Sequence, residues 1–381
     1  MAPIEISTVA VAIPLEIPTR ISTRNLTKRD YVLVRVRDHH GAEGFGYTYA
    51  GTTAGSSTAH FIDETLAPVA RNVDDIGIVQ TWEDMYAECL LVGRRGVALR
   101  AMSALDMALW DLAAHRSSLP MAVLLGGSTN PLPAYASGGY YRPSDGPWAE
   151  AVFREIQSNR SAGFLDHKIK VGGLSVNEDA DRVRAAVEAM EGVGRLALDA
   201  NNAYGSPAEA LRALHAFEEA AAEAGVWWFE EPLAVDDVVG LRRLWAKAET
   251  PIATGEISQS RHEFRHLLDE GAMDVLQPDI GVLGGVTEFM RVVRTAETYM
   301  VPVAPHWHAN AHVHLMAAAS SCLTIEHFLL EKDIYNFERL VTPETRLESV
   351  AGSVAPPSRP GWGIEFDLAT VNAMRTWGEP W

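Results

Sequence analysis

The chain has 381 residues, of which 47% are hydrophobic and 22% charged, and this ordinary globular composition excludes wholesale disorder. Its 50 acidic residues outnumber the 32 lysines and arginines, which gives a formal net charge of −18. Proteins that bind the phosphate backbone need positive charge, at least locally. The charge balance therefore argues against a nucleic-acid partner.

The beginning of the sequence lacks the features of a secretory signal peptide. No basic residue precedes Arg20, and Glu5 and Pro14 interrupt the apolar stretch. No run reaches the roughly 18 apolar residues that a membrane-spanning helix requires. The two cysteines, Cys89 and Cys322, fit neither a disulfide framework nor a zinc site. We therefore expect a cytoplasmic protein with two buried, reduced thiols and no membrane partner.

The first third of the chain, residues 1–127, predicts an α+β domain. Apolar and polar residues alternate in 31–37, and a second strand pattern follows at 44–49 after an Asp-His-His-Gly turn. The pattern then becomes helical, and segment 103–116 repeats apolar residues at helical spacing.

From residue 128 onward, short apolar runs alternate with longer amphipathic segments, which is typical of parallel βαβ units. Eight such strands fill a TIM barrel, which we assign to residues 128–345. The predicted strands are 134–137, 168–171, 196–200, 226–230, 252–256, 274–278, 301–305 and 323–326. The turn-rich tail, 346–381, is expected to return to the first domain.

An open, doubly wound sheet is the structural alternative to the barrel. That fold usually carries a G-x-G-x-x-G fingerprint that opens a helix after the first strand. The sequence has no such fingerprint. The barrel is therefore the favoured architecture.

In a (β/α)₈ barrel, side chains at the carboxyl ends of the strands form the active site. The second predicted strand carries Lys168 and Lys170, which point the same way because strand side chains alternate. The next three strands end in Asp199, Glu230 and Glu256. Three convergent carboxylates repel one another unless a cation lies between them, and all-oxygen ligation suits Mg²⁺. The pattern predicts a metal site beside two buried lysines.

These motifs, in this order, resemble the enolase superfamily, mandelate racemase subgroup, over essentially the whole chain. The matching segments are KIKVG, LDANNAY, FEEP, TGE, QPDIGVLGG and APH in the barrel, and ALDMALWDLAA and LLGG in the first domain. The resemblance implies a TIM-type barrel with an α+β N-terminal capping domain that is completed by the C-terminal tail. It also implies an enzyme that abstracts the proton α to a carboxylate.

The resemblance implies roles for the strand-end residues. Asp199, Glu230 and Glu256 match the three magnesium ligands, so Mg²⁺ is the expected cofactor. Lys170 matches the base on one face of the substrate, and Lys168 matches the lysine that contacts the substrate carboxylate. We expect the positive charge of Lys168 to lower the pKa of Lys170.

His306 matches an acid/base on the opposite face of the substrate, with Asp279 as the partner that orients the imidazole. Glu326 matches an acid that hydrogen-bonds the developing enediolate, and burial and acidic neighbours are expected to keep it protonated. Family members with a lysine on strand six use a different base there. This chain has glycine, valine and leucine at 281–283, which favours the histidine–aspartate subgroup.

Four histidines fall within residues 306–314, which raises the alternative of a zinc hydrolase. However, the H-x-H motif lies on strand seven, whereas barrel zinc hydrolases carry it on strand one. The pair His308 and His312 lacks the glutamate of H-E-x-x-H. We expect His312 and His314 to pack or cap at the start of the following helix.

Two reactions compete within the resemblance. Dehydration of an acid sugar to a 2-keto-3-deoxy acid is favoured, and racemisation or epimerisation of a 2-hydroxy acid is the alternative. In both, a weakly acidic α-proton is removed and positive charge stabilises the enediolate electrostatically. A non-enzymatic barrel that only binds sugar acids remains as an alternative from another class, although no catalytic position has been lost.

The ligand is expected to be a small carboxylate, and the protein a homo-oligomer. The residues predicted to bind the substrate are Asn201, Arg20, Arg24, Arg142, Trp307 and His308. The sequence does not identify the acid.

Overall fold

The computed structural model describes residues 3–71 and 77–381. Its N-terminal part contains the strands Glu5–Arg20 (β1), Asn25–Arg37 (β2) and Glu43–Tyr49 (β3), followed by the helices Gly55–Phe61 (α1), Ala67–Ala70 (α2), Ile78–Val92 (α3), Val97–Arg116 (α4) and Met121–Leu124 (α5). A π-helical turn spans Ile62–Leu66. We refer to this part as the cap.

The alternating pattern of β2 gives the cap sheet two buried faces. Val32 and Val34 pack in the core beneath the cap helices, whereas Tyr31 and Leu33 pack in the core that is continuous with the barrel. Helix α4 lies very close to β3, since a Cβ atom at Gly46 would be 1.9 Å from the backbone oxygen of Ala104. Only glycine permits this approach.

The barrel follows. Its strands are Leu132–Gly138 (β4), His167–Lys170 (β5), Leu196–Asp199 (β6), Phe229–Glu230 (β7), Ile252–Thr254 (β8), Val275–Leu276 (β9) and Ile325–His327 (β10). Its helices are Trp148–Ser161 (α6), Val176–Met190 (α7), Pro207–Ala221 (α8), Val238–Trp245 (α9), Ser260–Glu270 (α10), Ile280–Leu283 (α11), Gly285–Thr298 (α12) and Ala309–Ala317 (α13). Single 3-10 turns occur at Pro143–Asp145, Ala222–Ala224, Leu330–Lys332, Asn336–Leu340 and Pro343–Thr345.

Strands β4 to β9 are parallel neighbours in sequence order, and β10 pairs with β4. The predicted seventh strand, 301–305, is reduced to one bridging residue, Val303, which pairs with both Leu276 and Cys322. Pro302 and Pro305 flank this bridge and lack the amide donors that a longer ladder needs. The Val303 bridge connects β9 to the segment that leads into β10, so the barrel is closed, as predicted.

The barrel interior beneath the strand ends is filled by two large aromatic side chains among small ones. The ring centroids of Tyr135 and Trp228 lie 5.4 Å apart. Ala197, Ala253 and Ala304 leave room for them in the same buried cluster. The interior is therefore a packed core and not a pore, and it forms a rigid floor for the groups above it.

The C-terminal tail contacts both parts. It contains Ser349–Val350 (β11), Ser353–Val354 (β12), Leu368–Ala373 (α14) and Arg375–Trp377 (β13). Strand β12 pairs with β4 of the barrel, and β13 pairs with β1 of the cap. The carboxylate of Asp111 on α4 accepts hydrogen bonds from the backbone N–H groups of Phe45 and Trp362, both at 2.8 Å. This carboxylate links the cap sheet, its main helix and the tail.

Both cysteines are free thiols. Cys89 is buried in the cap core, whereas Cys322 is only partly buried. Among the helices of 3–71 and 77–381, none is both long and apolar enough to cross a bilayer.

Candidate active site

Three acids meet at the carboxyl ends of β6, β7 and β8. Asp199 and Glu230 are the last residues of their strands and face each other in register, and Glu256 follows β8 by two residues. One oxygen atom from each carboxylate lies within 4.8 Å of the others, and all three residues are buried. Sequence spacing and parallel pairing together bring the predicted ligand residues into one cluster.

The electrostatics of this acidic cluster show an excess of negative charge. Burial, reinforced by Asp199, raises the pKa of Glu230 to about 8. Burial also raises the pKa of Glu256 to about 7, against an opposing effect of His306. The Oε2 atom of Glu256 accepts no hydrogen bond. A buried, all-oxygen donor set with surplus negative charge fits a hard divalent cation.

Other side chains hold the acids in position. The Oε2 atom of Glu230 accepts hydrogen bonds from Trp228 Nε1 at 2.8 Å and Gln277 Nε2 at 2.7 Å. The backbone N–H of Asn201 donates to Asp199 Oδ1 at 2.9 Å, and its Nδ2 lies 3.2 Å from Oδ2. Asn201 was predicted to contact the substrate; in the structure its two N–H groups hold Asp199, while its Oδ1 atom accepts no hydrogen bond from the described residues. The substrate contact stays a prediction.

The two lysines of β5 have different surroundings. Lys168 Nζ lies 2.6 Å from Glu230 Oε1, 2.8 Å from Glu326 Oε1 and 3.8 Å from Asp199. Lys170 forms an ion pair with Asp199, and its Nζ lies 4.9 Å from the ring centroid of Tyr140. Lys168 is therefore enclosed by acids, whereas Lys170 has one acidic partner.

The pKa of Lys170 differs from the prediction. Burial and Lys168 both lower it, as expected, but Asp199 and Tyr140 outweigh them, so the net pKa is raised. The prediction considered only the effect of Lys168 on the pKa of Lys170 and left out Asp199, the carboxylate at the end of the next strand.

The protonation of Glu326 also differs from the prediction. Burial raises its pKa, but Lys168, His306 and Lys170 lower it to about 2. Its Oε2 atom accepts the backbone N–H of Trp307 at 2.6 Å. Glu326 is therefore a carboxylate here and not a hydrogen-bond donor, because the cations around it outweigh its acidic neighbours.

His306 and Asp279 form a hydrogen-bonded pair. His306 Nδ1 lies 2.9 Å from Asp279 Oδ2, and its Nε2 lies 3.4 Å from Glu256 Oε2. Burial lowers the pKa of His306, but Glu256 and Asp279 raise it to about 9. The side chains of His306, Glu256 and Lys170 are 17%, 8% and 4% exposed, more than the others in the site. These three side chains therefore line the opening, which we call the mouth.

Trp307 has a positive φ of 76°, which is costly for a large side chain, about 1–3 kcal/mol. This conformation aims its backbone N–H at Glu326 while its ring packs 4.8 Å from Phe328 and 5.2 Å from Tyr335, measured between centroids. Such strain is characteristic of functional sites.

The other histidines of segment 306–314 lie behind the mouth. His308 was predicted to contact the substrate, but it is fully buried, with Nδ1 3.2 Å from the Tyr335 hydroxyl. His312 Nε2 accepts the Ile280 N–H at the start of α11, and His314 contacts Ala122 and Trp362. Period-two spacing from His306 does not continue once the chain turns into α13, so His308 lies behind the mouth, and its contact with the substrate stays a prediction.

Two of the three arginines predicted to bind substrate have structural partners. Arg20 donates to the Gly173 carbonyl at 2.8 Å and stacks on Tyr141. Arg142 donates to Thr19 Oγ1 at 2.7 Å and to the Lys332 carbonyl at 2.6 Å. Arg24 is exposed and interacts electrostatically with Arg100. The position of an arginine in a loop does not tell whether it joins two parts of the chain or binds a ligand, so substrate binding by these three arginines stays a prediction.

Sequence reasoning also missed several residues. Trp228 lies two residues before Glu230 on the same face of its strand, so period-two spacing could have identified it. Arg29 and Arg100 gave no such signal, because the cap approaches the barrel only in the folded chain, and Tyr140 lies beyond the end of β4, where strand periodicity no longer applies. Tyr140 interacts electrostatically with both Lys170 and Arg29.

Comparison with known proteins decides the family. A model for the mandelate racemase/muconate lactonizing enzyme N-terminal domain matches residues 3–126, and a model described as enolase C-terminal domain-like matches residues 151–370. The chain belongs to the mandelate racemase/muconate lactonizing enzyme family. The family resemblance and the fold predicted from the sequence are thereby confirmed.

Several members of this family resemble the chain over most of its length. An arabinonate dehydratase of Saccharolobus solfataricus is 31% identical and covers 88% of this chain and 87% of its own. A 3,6-anhydro-alpha-L-galactonate cycloisomerase of Streptomyces coelicolor is 30% identical, covering 94% and 96%. The crystal structure of a racemase from Streptomyces coelicolor with bound magnesium superimposes with a TM-score of 0.89 at 28% identity, covering 98% and 99%.

Proposed function

We propose that this chain is a Mg²⁺-dependent dehydratase of acid sugars. The observation that carries the proposal is the pairing of a buried acidic cluster with a lysine and a histidine that both line the mouth. In this proposal, Asp199, Glu230 and Glu256 hold the metal ion. Bound there, the ion would supply Lewis-acid stabilisation of negative charge on the substrate carboxylate.

The chain's own residues account for the proton transfers. Lys170 takes the α-proton of the substrate, and the carbon–hydrogen electron pair becomes the enediolate. Asp199 raises the pKa of free Lys170. As a metal ligand, Asp199 would share its charge with the ion, and Lys170 could then lose its proton more readily.

His306 is suited to act as the acid. Its pKa of about 9 keeps the imidazole protonated near neutral pH, and Asp279 fixes its Nδ1 atom. The Nε2 proton is therefore available for the β-hydroxyl, which leaves as water while the enediolate electrons form the carbon–carbon double bond. The resulting enol tautomerises to the 2-keto-3-deoxy acid. Lys168, held between Glu230 and Glu326, supplies fixed positive charge beside the substrate carboxylate.

Incubation of the protein and Mg²⁺ with mono- and diacid sugars of varied stereochemistry tests the reaction. A 2-keto product from at least one acid is the expected result. The alternative is an isomerase, a racemase, an epimerase or a cycloisomerase, for which the same residues would return a proton to carbon without loss of water. Isomerised substrate with no keto product would favour that alternative.

Further parts of the proposal concern organisation. We propose residues 1–127 as the capping domain, 128–345 as the catalytic barrel and 346–381 as the returning tail. The partner is a small carboxylate, and nucleic acid and membrane are not partners. The two free thiols support a cytoplasmic location, and a homo-oligomer stays a prediction.

A further inference from the structure

Arg29 on β2 is a buried cation of the cap that forms no ion pair with a carboxylate in the part of the chain that the structure describes. The residue is only 3% exposed. Its Nε donates to the Ile334 carbonyl at 2.7 Å, and its Nη1 donates to the Tyr49 hydroxyl at 3.1 Å. No hydrogen bond satisfies Nη2. Arginine stays ionised in proteins, so this charge is buried without an ion pair to any carboxylate of residues 3–71 and 77–381.

The surroundings of Arg29 place it beside the catalytic groups. Its guanidinium carbon lies 4.4 Å from the ring centroid of Trp307, whose ring is stacked beside His306 at 5.7 Å. On another side it interacts electrostatically with Tyr140, whose ring also lies near Lys170. Arg29 is therefore adjacent to residues that contact both proposed proton-transfer groups.

Arg142 provides an internal comparison. It too is a buried arginine between the cap and the barrel, at 9% exposure. However, its Nε and Nη2 donate to Thr19 and to backbone carbonyls, and it interacts electrostatically with the carboxylate of Glu155. For Arg29, the largest electrostatic interactions are with Tyr49, Tyr140 and Tyr31. Arg29 thus lacks the nearby anion that Arg142 has.

A buried cation without a counter-charge is costly unless a ligand supplies one. The reacting carboxylate of the substrate is already accounted for by Lys168 and the acidic cluster, if the proposed function holds. An anion on another part of the same substrate would supply the counter-charge that Arg29 lacks.

We propose that Arg29 binds a second carboxylate of the substrate, at the end opposite the reacting carbon, so that the preferred substrates are dicarboxylic acid sugars. The planar guanidinium suits a carboxylate, which can accept the free Nη2 donor. This inference rests on the proposed function in one respect: it takes the reacting carboxylate of the substrate to lie at Lys168 and the acidic cluster.

Equilibrium binding tests the inference independently of turnover. Binding of stereochemically matched pairs, such as galactarate with galactonate and glucarate with gluconate, together with the five-carbon pairs, is measured by calorimetry in Mg²⁺. The wild type should bind its best diacid about tenfold or more tightly than the matched monoacid. Arg29→Met, which keeps an apolar stem among the aromatic rings, should reduce that ratio to about one.

Two further variants separate binding from folding. Arg142→Met removes the other buried arginine and should leave the diacid-to-monoacid ratio unchanged. Arg29→Lys keeps the positive charge but loses the planar pair of N–H donors of the guanidinium. It should retain part of the preference for diacids over monoacids, and it remains informative even if Arg29→Met unfolds. Equal binding of diacids and monoacids by the wild type, or no binding of any diacid, contradicts the inference. So does a ratio that survives in Arg29→Met.

The same samples distinguish failure of this inference from failure of the proposed function. If monoacids give keto product while diacids do not bind, the dehydratase stands and the second-carboxylate site is wrong. If diacids bind in an Arg29-dependent manner but yield neither product nor exchange of the α-proton, the site stands and the dehydratase is wrong.

Discussion

Two of the regions of this molecule that contain buried polar groups differ in how far the chain itself satisfies those groups. Between cap and barrel, Asp106 accepts Thr287 N–H at 2.9 Å and Thr287 Oγ1 at 2.7 Å, and Ser103 Oγ accepts Gly284 N–H at 2.9 Å. We call this region the seam. Its buried groups find partners on the facing element.

At the mouth, by contrast, buried atoms are left without hydrogen bonds. They include Glu256 Oε2, Gln277 Oε1 and Arg29 Nη2. Since nearly all buried polar atoms in native proteins are paired, the unpaired atoms beside the acidic cluster are candidates for contact with a ligand. The comparison teaches that the seam stabilises the fold, whereas the mouth is completed by ligands.

Removing the proposed base should have the largest effect on catalysis. Lys170→Met should lower the rate of product formation by roughly 10²–10⁴-fold, because a positioned base is lost. Lys247→Met, at an exposed lysine of the same barrel, is the matched control and should retain full activity. Circular dichroism should show both variants folded. Wild-type rates in Lys170→Met would contradict the assignment of Lys170 as the base and would make this lysine no different from an exposed one.

Removing one charge from the acidic cluster should separate function from stability. Glu256→Gln should weaken Mg²⁺ binding, measured by calorimetry, by more than the roughly 10–100-fold typical of losing an outer partner of a metal site. Its free energy of unfolding in metal-free buffer should equal or exceed that of the wild type, because burial and the repulsion from Asp199 together outweigh the attraction of Glu256 to His306. Unchanged Mg²⁺ affinity would contradict the assignment of Glu256 as a ligand.

The Asp279 partner should set the pH range of the acid. The pKa of His306 is raised to about 9, so the imidazolium is retained up to that pH. In Asp279→Asn the hydrogen bond and the charge of Asp279 are lost, so the pKa of His306 should fall although Glu256 still raises it, and the dehydration rate at pH 8 should drop. The measurement is the pH profile of kcat. The profile should recover at lower pH, which simple damage to the fold would not produce.

A substitution in the seam should have a smaller effect, and this effect should be on the stability of the fold and not on catalysis. Burial raises the pKa of Asp106 from 3.8 to about 7, so its protonated form favours the folded state. This contribution is present below pH 4 and is lost as pH rises through about 7, with a slope of at most about 1.4 kcal/mol per pH unit.

Asp106→Asn is the test of that effect. An asparagine keeps the shape of the side chain and can accept the Thr287 N–H, and its amide would donate to Thr287 Oγ1, which reverses the bond that the Thr287 hydroxyl donates to the carboxylate. Relative to the wild type, the variant should gain stability between pH 5 and pH 7.5, as measured by denaturant unfolding, while catalysis stays unchanged. A difference in stability that is independent of pH would contradict a titrating Asp106.

The fold and the acidic cluster were predictable because local patterns carry them. Strand-end positions and parallel pairing are enough to bring Asp199, Glu230 and Glu256 together. Period two places Lys168 and Lys170 on one side of β5. These predictions depend only on geometry that every barrel shares.

Protonation and substrate contacts were less predictable because they depend on distant neighbours. The carboxylate form of Glu326 follows from Lys168 and His306, whose combined proximity no spacing rule gives. Arg29 lies against Trp307 although it belongs to the cap, and Asn201 donates to its own neighbour Asp199. The first contact arises only when the cap packs on the barrel, and neither contact follows from strand periodicity.

Exchange of the α-proton tests the central claim most directly, namely that Lys170 and His306 act on a carboxylate substrate held at the mouth. A reactive acid sugar is incubated with enzyme and Mg²⁺ in D₂O, and its C2 proton is followed by proton NMR. In the His306→Asn variant, the C2 proton should exchange with solvent although no keto product forms, while in Lys170→Met both exchange and product should be lost. Exchange and product formation at wild-type rates in both variants would contradict the account.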